Sequence, residues 1–242
     1  MLIFNKVNQA SIVMGALAGL LLVGCGGSSY SSSDDMDPPP PPPPVTYAYQ
    51  VTVTNLTHAQ PMSPVAVVLH NEGQLWQIGE SASNALEVMA ESGDNSGLLS
   101  DAIAMASESG VGILAPGMSE TISVSIVDTE PMMLSVATML VNTNDAFTGV
   151  NAMALTNLPA GESISLTAGS YDAGTEKNSE LMSSIPGPAG GGEGYNEMRD
   201  DVDFVAMHPG VVTSDDGLST SVLTQAHRFD NPSLRISITR TE

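Results

Sequence analysis

Apolar and polar positions begin to alternate at Tyr47, and that alternation dominates the rest of the chain. Tyr47, Tyr49, Val51 and Val53 alternate with Ala48, Gln50, Thr52 and Thr54, the period of two that turns one side of a strand to a core and the other to water. The same pattern returns in Val65, Val67 and Leu69 after the turn Gln60-Pro61-Met62-Ser63-Pro64, and in Ile122, Val124 and Ile126. It continues in Leu134, Val136, Thr138 and Leu140, in Ile164 and Leu166, and in Leu234, Ile236 and Ile238. Such strands, separated by Gly, Pro, Asn and Asp and apolar on one face, predict an all-β fold of antiparallel sheets packed as a sandwich. Regular alternation of strands with helices is missing, which argues against a doubly wound parallel sheet. One or two short helices are inserted. Ile78, Ala82, Leu86, Met89 and Ala90 share a helical face, with Glu80, Glu87 and Glu91 largely elsewhere, and Gly93-Asp94-Asn95 breaks the run. Leu98, Ala102, Met105 and Ala106 predict a second short helix ended by Gly110. Pro186–Gly194 (PGPAGGGEG) reads as a mobile loop, without the Lys-Ser/Thr of a phosphate loop.

Before Tyr47 the pattern serves a different purpose. Lys6 is followed by the apolar run Ser11–Val23 of 13 residues, about half a bilayer-spanning helix. It stops at Leu22-Val23-Gly24-Cys25. Small residues just before a lone cysteine resemble the lipobox of bacterial lipoproteins, which implies cleavage after residue 24 and a diacylglycerol on the Cys25 thiol. Two or three acyl chains would anchor the protein stably. Gly26-Gly27 in place of Asp points to the outer membrane, facing the periplasm or the medium. Residues 25–46 form a linker, Ser-rich and then seven consecutive prolines, Pro38–Pro44. Those prolines make a polyproline spacer of roughly 20 Å. The sandwich domain is assigned to residues 47–242.

Charge narrows the set of partners. Lys+Arg total 6 against 27 Asp+Glu, a net charge of −21 over 242 residues. So few bases exclude nucleic-acid binding and a polybasic hold on anionic lipid. Metal ions or basic protein surfaces are the charged partners that remain. Aromatic residues are 4% of the chain, too few for a stacking platform. A single cysteine excludes an internal disulfide and a Cys-based zinc site. No GxSxG, HExxH, CxxC or dinucleotide fingerprint occurs, and His58, His70, His208 and His227 share no ligand spacing. An enzyme is therefore not supported. The enzymatic alternative, an exported hydrolase using Asp145, Asp172 or His208, needs a concave pocket with a base in reach of a nucleophile.

The strongest local chemical signal is Tyr171-Asp172-Ala173-Gly174-Thr175-Glu176. Two carboxylates four residues apart can converge on one cation if the chain turns at Gly174. Flexible hard-oxygen donors suit calcium, with six to eight ligands, better than octahedral magnesium. The acidic run Glu193–Asp203 (EGYNEMRDDVD) reads as a solvated loop, with a second, looser cation site as its sharper alternative.

Three ordered blocks carry a family resemblance. The first is Leu69–Leu99, with His70, Gly79-Glu80-Ser81-Ala82-Ser83, Leu86 and Ala90-Glu91-Ser92-Gly93-Asp94; the second is Thr143–Val150; the third is Tyr171–Glu176. Together they resemble the spondin amino-terminal domain, over roughly Tyr47 to Thr241. The resemblance implies an eight-stranded antiparallel sandwich related to C2 domains, with one calcium at the loop end held by Asp145, Asp172 and Glu176. Glu176 stands where the family has Asp, and Ala146 where it has Trp. The cysteines and thrombospondin repeats of animal members are missing. With three carboxylates on exposed loops, the expected affinity is the weak extracellular class, Kd of order 10⁻⁴–10⁻³ M. The expectation is thus a lipid-anchored, calcium-binding envelope module for adhesion or recognition toward a protein or glycan surface. A structural envelope protein with a stabilising calcium is the alternative.

Overall fold

The structure, a computed structural model, describes residues 41–242; the leader, Cys25 and the first three prolines of the run lie outside the described residues. Ten strands form two antiparallel sheets. The four-stranded sheet has the order β4 (Ser119–Val127), β1 (Thr46–Asn55), β10 (Leu234–Arg240), β7 (Ser163–Ala168). The six-stranded sheet runs β3 (Ala106–Ser109), β2 (Ala66–His70), β5 (Met133–Met139), β6 (Ala146–Ala154), β8 (Ser170–Asp172), β9 (Ala206–Met207). This is the expected all-β sandwich; the strand number is ten rather than eight once the short β8 and β9 are counted.

The alternating residues meet between the sheets. Tyr49, Val51 and Val53 of β1, Ile122 and Val124 of β4, and Ile236 and Ile238 of β10 pack on Val67, Leu69, Leu134 and Val136. Register fixes the contact: Val51 pairs with Ile122 on one side and Ile238 on the other, so all three side chains face the same way. Outward, Thr52 Oγ1 meets Thr121 Oγ1 and Thr54 Oγ1 meets Ser119 Oγ, both at 2.8 Å.

The six-stranded sheet departs from the one-sided expectation. All five residues of β2 are buried, as are six of the seven in β5, because a second apolar layer covers the other face. Val68, Ala137, Met139 and Phe147 pack there against Trp76, Leu86, Met89, Ala90 and Leu98. The cover is α1, Asn84–Ser92, with Ser83 capping it through Leu86 N–H at 3.2 Å and left-handed Gly93 closing it. This helix is shorter than its apolar periodicity predicts: Ile78 is exposed and lies before it, as does Ala82. The second helix, α2, is only Ser96–Leu99; Ala106, expected on it, opens β3. Residues 106–109 pair with β2 instead, extending the sheet edge.

A further correction concerns Glu87 and Glu91, which sit on the buried side of α1. The segment expected to be a solvated loop folds over them. Arg199 forks onto Glu87 through Nε and Nη2 at 3.1 and 2.7 Å, donates to Ala82 O, and holds Asp203 at 2.6 Å. Asn196 N–H donates to Glu91 Oε2 at 2.9 Å. Removing Arg199 leaves the buried Glu87 charge unpaired, so Arg199→Ala is expected to lower stability by about 2 kcal/mol. Urea unfolding reads this directly, and an unchanged midpoint would show that Glu87 does not depend on the pair.

The glycine-rich stretch is likewise anchored. Ala189 N–H donates to Asn142 Oδ1, Gly192 N–H to Ile185 O and Glu193 N–H to Ser183 O. Beside it Ile185, Val211 and Leu223 form a third apolar cluster. Pro43–Glu242 holds both sheets and all three clusters as one compact unit. No helix among the described residues is long and apolar enough to cross a membrane.

Candidate functional site

The site grows from one strand pairing. Ala146 of β6 pairs with Asp172 of β8, so Asp145, just before β6, arrives beside the end of β8. The turn that delivers it is polar and almost wholly buried: Asn142, Thr143, Asn144 and Asp145 are each exposed by 2% or less. Thr143 Oγ1 donates to Leu140 O at 2.6 Å and accepts from Ala146 N–H at 3.1 Å. Asn144 donates to Ser184 Oγ at 2.8 Å. A buried polar turn has to find its partners inside the protein, and these partners fix where Asp145 points.

Three donors converge on one oxygen of Asp145. Its Oδ2 accepts from Thr175 N–H at 2.8 Å, Glu176 N–H at 3.1 Å and Thr175 Oγ1 at 3.3 Å. Its Oδ1 is buried and has no partner. The chain turns at Gly174 as the motif requires, with φ at +72°. Gly174 N–H donates to Asp172 Oδ1 at 2.8 Å, and Asn178 Nδ2 to Asp172 Oδ2 at 2.6 Å. Trp76, from the segment between β2 and α1, forms a contiguous aromatic group with Phe147 of β6 and Tyr171 of β8, with centroids 5.2–5.4 Å apart.

Carboxylates crowd this loop. Burial, reinforced by the Asp172 charge, pushes Asp145 up to about 7. Burial, then Glu91, Asp145 and Asp200, pushes Glu176 up to about 8, against a hydrogen bond with Asn144. Burial together with Asp172 pushes Glu180 up to about 7. Burial likewise raises Glu91 and Asp201. The nearby His208 is pushed down by burial, against the pull of Asp172 at 3.9 Å. Its Nδ1 accepts from Gly210 N–H at 3.0 Å, which places the proton of the neutral ring on Nε2, facing Asn178 Oδ1 at 3.2 Å. Arg199 acts on Glu91 and Lys177 on Asp201, while the causes that move Asp145, Glu176 and Glu180 include no base; desolvated acids of that kind are what a cation or a proton relieves.

Of the residues the sequence singled out, the Asp172 charge acts on Asp145 and the Asp145 charge on Glu176, whereas Asp172 bonds to Gly174 and Asn178 rather than to Glu176. Among the described residues no three His, Cys, Asp or Glu side chains are grouped closely enough to hold an ion by themselves. A calcium shell also draws on amide and carbonyl oxygens, and the unpartnered Asp145 Oδ1 is the kind of hard donor it takes. The premise of an exposed site fails, however. Asp145 is 0% and Asp172 6% exposed, because residues 196–208 fold over the loop through Asp203 N–H to Gly174 O and Asp200 N–H to Thr175 O. Glu180 and Glu91 were missed. A signal for Glu180 was present: Asp172, Glu176 and Glu180 recur every fourth residue. His70 and His227 lie apart from this chemistry, His70 buried against Glu72 O and Ser135 Oγ and His227 capping Thr224.

No curated protein matches the chain. Residues 54–186, just over half of it, match the family model described as Spondin_N, and the chain therefore belongs to the spondin N-terminal domain family, a non-enzymatic module type associated with extracellular recognition and adhesion.

Proposed function

We propose that the protein is a calcium-binding recognition module, carried to the bacterial outer membrane by its leader and held there by lipid on Cys25. The observation that carries the calcium reading is Asp145 Oδ1, buried without a partner among carboxylates that push one another's proton affinity up. Asp145, Asp172 and Glu176 are the residues that would hold the ion. A bound calcium would tie the start of β6 to the loop after β8 and offset the mutual repulsion of their acids. Asp145 and Asp172 are buried and Glu176 half-buried, a more rigid set than one on exposed loops, so the expected Kd is below about 10⁻⁴ M.

Recognition rather than a purely structural role is favoured by the segment that roofs the site. Met198, Val202, Phe204 and Met207 are exposed by 42–71% within ten residues of chain, and an apolar stretch left in water marks a contact surface. Catalysis by His208 has little support, since both ring nitrogens face hydrogen-bond partners.

The test is a calcium titration of Pro43–Glu242, followed by calorimetry and thermal melting, beside Asp172→Asn/Glu176→Gln. At a hundred times Kd, calcium should add about 2.7 kcal/mol, a rise of about 5–10 °C in Tm for a domain of this size. The double variant should lose that rise. Wild-type protein that neither binds calcium nor gains stability would overturn the reading.

A further inference from the structure

Each sheet has two outer strands, and three of these four are short: β3 has four residues, β7 six and β9 two. The fourth, β4, has nine, and its pairing with β1 runs unbroken from Ser119 to Val127. The hydrogen-bond phase of that pairing is set at both ends. Asn55 N–H donates to Met118 O at 3.0 Å, and Asp128 N–H to Val45 O at 2.7 Å. Antiparallel pairing alternates between them, so Glu120, Ile122, Val124 and Ile126 exchange bonds with β1. Ser119, Thr121, Ser123, Ser125 and Val127 turn their N–H and C=O groups outward. All five residues are exposed, and among the described residues those outward groups have no partner. Proteins protect such an edge with Lys, Pro, a bulge or a very short strand. β4 has no Lys, Arg or Pro and keeps its register throughout. Its one charge, on Glu120, is turned back into its own protomer, where Oε1 accepts from Val111 N–H at 2.7 Å.

The two ends of this strand also suit each other. Val127, at one end, is an exposed apolar side chain. Beside Ser119 and Glu120, at the other, opens a groove of about 380 Å³ lined by Val111, Ile113, Leu114 and Met118, with Val111 99% and Met118 58% exposed. We propose that a second copy of this chain occupies the edge, β4 against β4, antiparallel about a twofold axis at Ser123. That register sets Thr121 opposite Ser125 and Ser119 opposite Val127, so all five outward residues are paired. Val127 of each copy then arrives at the groove of the other. At the positions between, Ile122 falls opposite Val124 and Glu120 opposite Ile126, so no acid faces an acid. This matters in a chain of net charge −21, because like charges directly opposed destabilise a sheet. From Gly110 to Val127 the one charged residue is Glu120, which leaves this edge free of the repulsion that keeps two such acidic chains apart elsewhere. A basic peptide from another protein would find no free carboxylate on the strand to favour it. The joined sheet would carry eight strands, and the hydroxyl row that begins with Thr52 and Thr121 would continue through Ser125 of the second copy.

Sedimentation equilibrium of Pro43–Glu242 tests this in three forms: wild type, Ser123→Lys and Ser165→Lys. Ser123 is exposed, and a lysine there sets two like charges face to face at the axis. Ser165→Lys places the same charge on the β7 edge as a control. Wild type should dimerise, Ser123→Lys at least tenfold more weakly, and Ser165→Lys as wild type does. Wild type that stays monomeric up to about 1 mM, the weak end of specific binding, overturns the proposal. So does equal dimerisation of wild type and folded Ser123→Lys, or assembly that continues past the dimer. If Gly26–Glu242 stays monomeric while Pro43–Glu242 dimerises, the chain's own linker holds the edge and the proposal falls. Should Ser123→Lys fail to fold, amide hydrogen exchange in wild type decides. Raising the protein concentration should slow the Thr121, Ser123 and Ser125 amides at least tenfold and leave Ser163, Ser165 and Thr167 of β7 unchanged. Exchange at β4 that does not respond to concentration overturns the proposal.

Discussion

Gly174→Ala is expected to abolish calcium-dependent stabilisation and to lower the stability of the metal-free protein by about 3 kcal/mol, about 10 °C in Tm. Two effects combine. At φ +72° an alanine is strained in a conformation that glycine adopts freely, worth about 1–2 kcal/mol. Its Cβ would also stand 2.3 Å from Phe204 O and 2.8 Å from Phe204 N. Those are backbone atoms that no side-chain rotation can move aside. The bend at Phe204 must retreat, which disturbs Asp203 N–H to Gly174 O and the buried neighbour Val205. Gly174 N–H, which orients Asp172 Oδ1, shifts with it. Gly191 provides the control: its φ is +71°, and a Cβ there meets nothing within 4 Å. Gly191→Ala should cost only the conformational part. Equal melting temperatures for the two variants would show that the close approach at Phe204 is not rigid.

The metal-free protein should be most stable near pH 4–5 and lose about 10 °C in Tm by pH 8, a loss that excess calcium removes. Asp145, Glu176 and Glu180 have folded-state values of about 7, 8 and 7, above ordinary values of 3.8 and 4.5. Between roughly pH 4 and 8 the folded protein therefore holds protons that the unfolded chain has released. Stability falls as pH rises wherever the folded state binds more protons. It is intact below the ordinary values and is lost as pH climbs through the folded ones. Asp94 and Asp216, held low by hydrogen bonds with Ser96 and Thr213, act in the opposite sense and only below about pH 4. Calcium competes with those protons, so its affinity should rise across the same window. Melting curves with EDTA and with calcium at each half unit of pH check both statements. A flat metal-free profile from pH 5 to 8 would mean that the buried carboxylates relax into solvent.

This pH response links the chemistry to the setting proposed for the domain. On the proposed reading, a protein that unfolded more readily without calcium at neutral pH would be held in its recognition-competent form by a divalent-rich medium. The exposed apolar side chains of residues 198–207 lie on the segment that roofs the acidic loop proposed to bind calcium. Their presentation to a partner would then depend on the ion beneath them.

Period-two alternation was enough to find the four-stranded sheet. Its inner and outer faces differ chemically at every step, from Val51 beside Thr52 to Ile238 beside Thr239, and the pairing of β1 with β4 and β10 follows that difference. The turn at Gly174 was also legible, because it is local. The limits of α1 were less so. Ile78 and Ala82 fit a helical period by composition alone, while the capping Ser83 sets the actual start.

What the sequence by itself determined is the class of fold, the glycine-turned acidic loop and the excess of acid. Tertiary structure decided the rest, since burial is a property of what covers a residue and not of the residue. Arg199, 112 positions from Glu87, turns a helix glutamate into a core residue. Residues 196–208 convert an exposed loop into a sealed one. Asn142–Asp145 reads as an ordinary polar turn until Asn144 reaches Ser184 and Glu180. Glu180 itself is a buried carboxylate only because Val212 and Val222, more than thirty residues away along the chain, hold it in place and leave one oxygen unmatched.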